Sequence, residues 1–254
     1  MIIIKKLKEV KVENGVLIYG MGGGMGQIAK IIGDYLIDKL NPEKIIEIYG
    51  DIFPHVVTVD ENAILHPITA EIYYKKVKDQ DVLILVGETQ PYDERGQYEF
   101  AFKLLELLKK LGVKLIITTG GYDIGYEPES PNVYIAATDK EVLEEFKKKE
   151  ERLRLDFSSN IVGLAGLLPA LAKYYDLKGV VLLAETLGHP MYVGLRGAKA
   201  ILEVLNKLFD WNIDLKDLEK EIEEQKKEIE KAQKIEEMKK KKEEKKLPPT
   251  TYIG

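Results

Sequence analysis

The chain has 254 residues, 45% of them hydrophobic and 32% charged, which is enough apolar material for one large domain or two small ones. It contains no cysteine, which excludes disulfides, thiolate nucleophiles and cysteine-based metal sites, and its bias towards lysine, glutamate and isoleucine is typical of thermophilic proteins. The net charge of −5 provides no overall attraction to nucleic acid, and no apolar run reaches the length that spans a bilayer, so we expect a cytoplasmic protein with neither nucleic-acid nor membrane partners.

The first half of the chain alternates between strand and helix patterns. An early apolar run ends in a cluster of glycines, and helical spacing follows from 28 to 40, where Asn41-Pro42 ends the helix. A continuous apolar run at 82–86 is typical of a strand that is covered on both faces. Before this run, the tyrosine-rich segment 55–77 predicts an inserted antiparallel hairpin. The predicted strands of this half are 16–19, 45–49, 56–59, 72–77 and 82–86.

The second half continues the alternation. Gly112 is placed to end one helix as its C-cap, and Asp139 is placed to begin a short helix as its N-cap. Strands that alternate with helices predict βαβ crossovers, and therefore an α/β fold with a mostly parallel sheet flanked by helices. The predicted strands are 113–118, 133–137 and 180–183, and the predicted longer helices are 98–111, 160–175 and 194–209.

The C-terminal segment differs in composition from the rest of the chain. Of the 33 residues from 214 to 246, 12 are acidic and 12 are basic. Leu215, Leu218 and Ile222 follow a heptad-like spacing, which predicts one long helix that packs at its base and projects beyond it. Pro248-Pro249 then ends the helix. The predicted parts of the chain are an α/β domain at 1–213, a charged helix at 214–246 and an extended tail at 247–254.

A glycine cluster from Gly20 to Gly26 lies between the first predicted strand and helix, where dinucleotide folds hold a pyrophosphate. Its spacing fits neither the dinucleotide fingerprint nor the Walker pattern. We therefore interpret the cluster as a tight turn with close backbone packing. The alternative is a nucleoside- or nucleotide-binding enzyme of phosphorylase-like fold that uses this loop.

Other chemical motifs are absent or weak. The three histidines, His55, His66 and His189, have no metal-ligand spacing, and the chain has no nucleophile elbow. We therefore predict no enzyme activity, no catalytic residues, no cofactor and no metal. Four polar residues follow buried strands and could either bind a ligand at the strand ends or cap loops: Glu88, Gln90, Glu185 and Thr186. The candidates for the N-cap of the helix at 160–175 are Asp156, Ser158, Ser159 and Asn160.

The motifs, taken together and in order, resemble the archaeal branch of the proteasome assembly chaperone family. The resemblance extends over most of residues 15 to 232. Its blocks are Gly20–Gly26 with Tyr35-Leu36, Phe53-Pro54-His55 with His66-Pro67, Leu83–Pro91, Asn160–Leu168 with Leu183–Thr186, and Ala198–Leu208.

This resemblance implies a nucleoside-phosphorylase-like α/β fold that serves protein binding. Family members form oligomers, and eukaryotic relatives hold proteasome α-subunits during ring assembly. Some archaeal relatives dock on the α-ring through a C-terminal hydrophobic-Tyr-X motif, in which the tyrosine is penultimate. Here the chain ends Tyr252-Ile253-Gly254, so the tyrosine lies one place earlier than in that motif.

The resemblance therefore predicts an ATP-independent, homo-oligomeric assembly chaperone or adaptor, with 20S proteasome α-subunits or a related complex as its partner. We expect Tyr252, Ile253 and Gly254 to bind the partner. The apolar and aromatic segment Ile72-Tyr73-Tyr74 is the candidate oligomer contact. A second alternative is a scaffold that recruits an unrelated partner through its C-terminal helices.

Overall fold

The computed structural model describes residues 1–157 and 160–244, with side chains described as far as residue 231. The chain divides into two units, Met1–Asp214 and a second that begins at Leu215. The strands are β1 (Ile2–Lys6), β2 (Gly15–Met21), β3 (Glu43–Gly50), β4 (Val57–Val59), β5 (Leu65–Pro67), β6 (Ala70–Val77), β7 (Gln80–Gly87), β8 (Val113–Asp123), β9 (Val133–Ala137) and β10 (Lys178–Thr186). The α-helices are α1 (Ile28–Leu40), α2 (Glu94–Leu111), α3 (Lys140–Lys149), α4 (Leu164–Ala172), α5 (Leu195–Phe209) and α6 (Lys216–Glu244).

Eight strands form one sheet in the order β1-β3-β6-β7-β2-β8-β10-β9. The central strands β7, β2, β8 and β10 are parallel to one another, whereas β1, β6 and β9 pair in the antiparallel sense. The central strands are buried almost throughout because helices cover both of their faces. The α/β fold predicted from the sequence is confirmed, and its sheet has a parallel centre with antiparallel edges.

The segment between β3 and β7 differs from the predicted hairpin. The strand at Ala70–Val77 pairs with β3 on one side and β7 on the other, so it belongs to the main sheet. The separate hairpin consists of β4 and β5, with Val59 opposite Leu65. The alternating pattern located the strands at 57–59 and 70–77, but alternation alone does not reveal which strand is the partner.

Helices α1 and α5 contact each other on one face of the sheet, and α2 and α4 contact each other on the opposite face. The face under α2 and α4 contains the main apolar core, where Phe53 and Phe100 meet edge to face at 5.8 Å. On the face covered by α1 and α5, the close packing of α1 against β2 depends on Gly20 and Gly33. A Cβ on Gly20 would lie 2.5 Å from the Gly33 Cα. The glycines therefore allow α1 to lie directly against β2.

Two helix starts differ from the sequence prediction. Helix α2 begins at Glu94, four residues early, because Asp93 caps it by accepting a hydrogen bond from the Gly96 N–H at 2.6 Å. Helix α4 begins only at Leu164, with Gly163 at its N-cap in a positive-φ conformation. The predicted N-caps Asp156 and Asn160 are therefore wrong, and Ser158 and Ser159 lie outside the described residues. Asp156 instead pairs with Arg154 at the end of a short extended segment.

The N-cap at Asp139 is confirmed, because its carboxylate accepts a hydrogen bond from the Val142 N–H at 3.0 Å. Asp139→Ala removes this acceptor, and we expect it to lower the free energy of unfolding by ~1 kcal/mol. Asp139→Asn retains an acceptor and is the matched control. Urea unfolding of both variants measures the difference, and equal losses would show that the cap has no role in stability.

Candidate functional site

The carboxyl ends of the parallel strands are the usual ligand-binding edge of α/β sheets. Strands β2, β3, β7, β8 and β10 run in the same direction and end at this edge. We call the segments that follow them the carboxyl-end loops, which are 22–27, 51–69, 88–93, 124–132 and 187–194. Together these loops contain most of the glycine cluster, the β4–β5 hairpin and two of the four polar residues that the sequence singled out, Glu88 and Gln90, whereas Glu185 and Thr186 end β10 itself.

The glycine cluster serves close packing at two of its positions. A Cβ on Gly22 would lie 2.1 Å from the Glu88 carbonyl oxygen, and a Cβ on Gly20 would collide with α1. Gly26 adopts φ 61°, which L-residues with side chains rarely do. At Gly24, by contrast, a Cβ would meet nothing within 4 Å. The packing interpretation of the cluster therefore agrees with the geometry at Gly20, Gly22 and Gly26.

Gln90 joins three segments at this edge. Its backbone N–H donates to the Gly22 carbonyl at 3.2 Å, and its side-chain Nε2 donates to the Gly23 carbonyl at 3.3 Å. Its Oε1 accepts from the Leu164 N–H at 3.0 Å, at the start of α4. Gly163 leaves room for this contact, because a Cβ there would lie 2.8 Å from Oε1. Gln90 is therefore a structural link between the glycine cluster and α4.

A cavity of about 510 Å³ lies beside this link, between the ends of β2, β8 and β10 and the segment before α4. Tyr19, Tyr122 and Phe157 form much of its wall, together with backbone atoms of several glycines. Burial raises the pKa of Tyr19 well above its ordinary value. Among the described residues that line the cavity, only Asp123 is charged. The wall offers no lysine or arginine to bind a phosphate.

Glu185 lies at the end of β10 and is almost fully buried. Its carboxylate accepts hydrogen bonds from the Asn132 backbone N–H at 2.9 Å, from the Asn132 side-chain amide at 2.9 and 3.0 Å, and from the Tyr134 hydroxyl at 2.9 Å. Burial alone would raise the pKa of Glu185, but these hydrogen bonds outweigh it and lower the pKa below its ordinary value. Glu185 thus fixes the loop before β9 to the end of β10.

Thr186 and Glu88 also have partners within the chain. The Thr186 hydroxyl donates to Glu127 Oε2 at 3.0 Å, and burial is the main cause that raises the pKa of Glu127. Glu88 pairs with Lys30 at 2.9 Å. The four polar residues at the strand ends therefore connect loops and helices to one another, as the loop-capping interpretation expects.

The histidines do not meet. His66 contacts Asp60 at 2.9 Å within the β4–β5 hairpin, and His55 and His189 lie in loops after different strands. In residues 1–157 and 160–244, no group of three His, Asp or Glu side chains could hold a metal ion. In the same part of the chain, no helix has both the length and the apolar character that a membrane span requires.

The β4–β5 hairpin is well formed, yet it exposes apolar side chains. Asp60 Oδ1 accepts from the N–H groups of Asn62 and Ile64, at 2.8 and 3.0 Å, and these bonds hold the turn. Every residue from 55 to 67 is exposed. Val59 and Leu65, a directly opposed pair, are 62% and 68% exposed. Sequence reasoning missed this surface because the hairpin was assigned to the wrong strand pair.

The candidate oligomer contact lies on β6. Ile72 is fully buried between β3 and β7, so it is a core residue of the sheet. Tyr73 and Tyr74 are half-buried, and their hydroxyls donate to Glu71 and Asp81 at 2.7 and 2.8 Å. Burial, followed by these carboxylates, raises the pKa of both hydroxyls to about 12. The candidate partner-binding residues Tyr252, Ile253 and Gly254 lie outside the described residues.

Comparison with known proteins places these features in a family context. A model of the PAC2 family matches residues 23–233. The crystal structure of Pyrococcus furiosus PbaB, an archaeal proteasome activator, is 31% identical with a TM-score of 0.85, covering 91% of this chain and 98% of that chain. Pyrococcus furiosus PbaA, an archaeal homolog of proteasome-assembly chaperone, shares the fold at 24% identity and a TM-score of 0.77, covering 95% and 96% of the two chains. An uncharacterized protein of Methanocaldococcus jannaschii is 31% identical over 220 residues, 86% of this chain and 83% of its own length.

Proposed function

The chain belongs to the PAC2 family, and from this membership we propose that it is a protein-binding assembly chaperone or adaptor of the 20S proteasome. The observation that carries the proposal is the likeness to PbaB, which extends over almost the whole length of both chains. The mechanism is mass action, in which the protein binds one assembly state of its client better than another and shifts the population towards it. Such a mechanism requires neither ATP nor a catalytic site.

The described structure supports protein binding in preference to the phosphorylase-like alternative. The cavity at the strand ends has no lysine or arginine among its described lining residues, so a phosphate or nucleotide there would find no charged donor among them. The side-chain amide of Gln90, which lines the cavity, already bonds to backbone groups of Gly23 and Leu164. The exposed apolar hairpin, in contrast, has the character of a protein-interaction site.

Native mass spectrometry of the protein, alone and with purified archaeal 20S α-subunits, tests the proposal. We expect a homo-oligomer of the 28.9 kDa chain by itself and a stoichiometric complex with α-subunits. Tyr73→Ala and Tyr74→Ala variants, measured in the same way, test whether β6 contributes the oligomer contact. A protein that stays monomeric and forms no complex with α-subunits at micromolar concentration would overturn the proposal.

We expect the tail to contribute to docking. Deleting Tyr252–Gly254 removes two apolar anchors, Tyr252 and Ile253. Since burying a tyrosine contributes on the order of 1.5–3 kcal/mol, the affinity of each tail for a preformed pocket should fall by roughly tenfold or more. Repetition around an oligomer would enlarge the effect.

Surface plasmon resonance on immobilised 20S proteasome measures this loss. Thr251→Ser is the control, because it leaves both anchors in place. If the truncated protein bound as tightly as the full chain, recognition would belong to the body of the protein instead.

A further inference from the structure

The carboxyl-end loops contain no lysine and no arginine, although the chain has 38 of these residues. They contain seven acidic residues: Asp51, Asp60, Glu61, Glu88, Asp93, Glu127 and Glu129. In a chain whose formal net charge is only −5, this distribution leaves the loops themselves with acidic charges alone, and Lys30 of α1 pairs with one of them, Glu88. A surface of one sign attracts partners of the other sign and repels its own kind.

The same loops concentrate the exposed apolar side chains. Of the nineteen large hydrophobic side chains that are exposed in the described part of the chain, ten lie in these loops. Five of them belong to the hairpin and its approach, and the others lie in the remaining four loops, where Met25 also lines the cavity. The ten are Met25, Val56, Val57, Val59, Ile64, Leu65, Tyr92, Tyr126, Met191 and Val193.

The acidic charge and the exposed apolar side chains of these loops together indicate which kind of partner they can bind. Anionic ligands, nucleic acid and anionic lipid are disfavoured because the loops offer no cationic side chain. A second copy of the same face is disfavoured because the acidic residues would repel one another. An apolar protein surface flanked by lysine or arginine satisfies both features, since it covers the hairpin and pairs with Glu61 and Glu129.

We infer that the carboxyl-end loops form a docking surface for a client protein that presents apolar side chains ringed by lysine or arginine. The β4–β5 hairpin supplies the apolar contact, and the acidic residues of the loops set the orientation and accelerate the encounter. The inference rests on the proposed function in so far as the client is a proteasome α-subunit. The surface lies on the α/β body, and none of its residues belongs to the C-terminal tail.

The first test uses two amphipathic peptides with the same apolar residues, one carrying lysine and one carrying glutamate at its polar positions. We expect the full chain to bind the lysine peptide and not the glutamate peptide by fluorescence anisotropy. The variant Val59→Ser with Leu65→Ser should reduce the affinity by about tenfold. The variant Glu61→Lys with Glu129→Lys should reduce it to a similar extent and remove most of its salt dependence.

Matched controls keep the test specific to the surface. Tyr174 is 73% exposed and lies outside the carboxyl-end loops, so Tyr174→Ser removes apolar area elsewhere. Glu9→Lys with Glu144→Lys changes the net charge by the same amount as the loop variant, at exposed positions outside those loops. Equal binding of the two peptides, or equal losses in the loop and control variants, would overturn the inference. The charge variant leaves the hairpin sequence largely intact, so it decides the question even if the serine variant loses the hairpin.

The second test separates this inference from the proposed function. Hydrogen exchange of the full chain with purified archaeal α-subunits should show protection at 51–69 and 124–132. Protection confined to other parts of the body would overturn the docking surface while the proposed function stands. Complete absence of binding to α-subunits would overturn the proposed function, and the peptide experiment would still decide whether the surface binds basic, apolar partners.

Discussion

Replacing Gly22 by alanine is expected to lower the free energy of unfolding by about 2–4 kcal/mol, whereas replacing Gly24 should leave it almost unchanged. The new Cβ at Gly22 would lie 2.1 Å from the carbonyl oxygen and 2.9 Å from the carbonyl carbon of Glu88. Both are backbone atoms of the loop after β7, so neither can rotate away as a side chain would. The clash can be relieved only if β2 and β7 separate at their carboxyl ends.

Gly24 provides the control within the same cluster. It has φ −96° and ψ 171°, which alanine adopts without strain, and its Cβ would meet nothing within 4 Å. Urea unfolding of the two alanine variants measures the contrast directly. Similar stabilities would show that the cluster is not a packing feature and would reopen the ligand-binding alternative.

Glu185→Ala is expected to cost about 2 kcal/mol, because it removes the buried acceptor that three partly buried hydrogen bonds share. The donors are the Asn132 N–H, the Asn132 side-chain amide and the Tyr134 hydroxyl. The exposed Glu129 has no such network in the described structure, so Glu129→Ala should change stability by less than about 0.5 kcal/mol. Thermal unfolding at pH 7 compares the two variants, and equal melting temperatures would contradict the structural role of Glu185.

The contribution of Glu185 should also depend on pH. Its pKa in the folded protein is lowered, so the ionised form is stabilised relative to the unfolded chain. By linkage, the stabilisation is present above the ordinary glutamate pKa and is lost as the pH falls through the lower, folded-state pKa. Unfolding free energies of the wild-type chain and Glu185→Gln should therefore begin to converge once the pH falls below the ordinary glutamate pKa of about 4.3. A difference that stayed constant from pH 7 to pH 3 would contradict this origin.

Elements governed by local periodicity were predictable from the sequence. Helix α1 has the bounds that its apolar spacing and Asn41-Pro42 predict, and Gly112 ends α2 in the left-handed conformation. β1 was missed because it is an edge strand whose half-exposed residues run directly into charges. The start of α4 was misplaced because Gln90, 74 residues away, supplies the acceptor that a local cap would otherwise provide.

At the candidate site, too, features set by local sequence were predictable and contacts between distant residues were not. The glycine cluster was predictable as a packing feature because its spacing fits no phosphate-binding pattern. The network of Glu185 was not, because Asn132 and Tyr134 lie more than 50 positions away in the sequence. The exposed β4–β5 hairpin was not predicted, because the sequence does not show which strands pair and only the completed sheet does. In this protein the sequence therefore predicts local elements from residue type, but it does not predict which distant segments contact one another.

The absence of lysine and arginine from the carboxyl-end loops has a consequence for the chemical reactivity of this edge. Trypsin finds no cleavage site between Lys44 and Lys75, so the hairpin should survive digestion by trypsin although every residue of it is exposed. Amine-reactive cross-linkers and lysine acylation should likewise leave the residues of these loops unmodified, in the free protein and in any complex. Contacts of the loops should be detected only by reagents that react with carboxylates, aromatic rings or aliphatic C–H bonds. Chymotrypsin or thermolysin should cut the loops where trypsin does not.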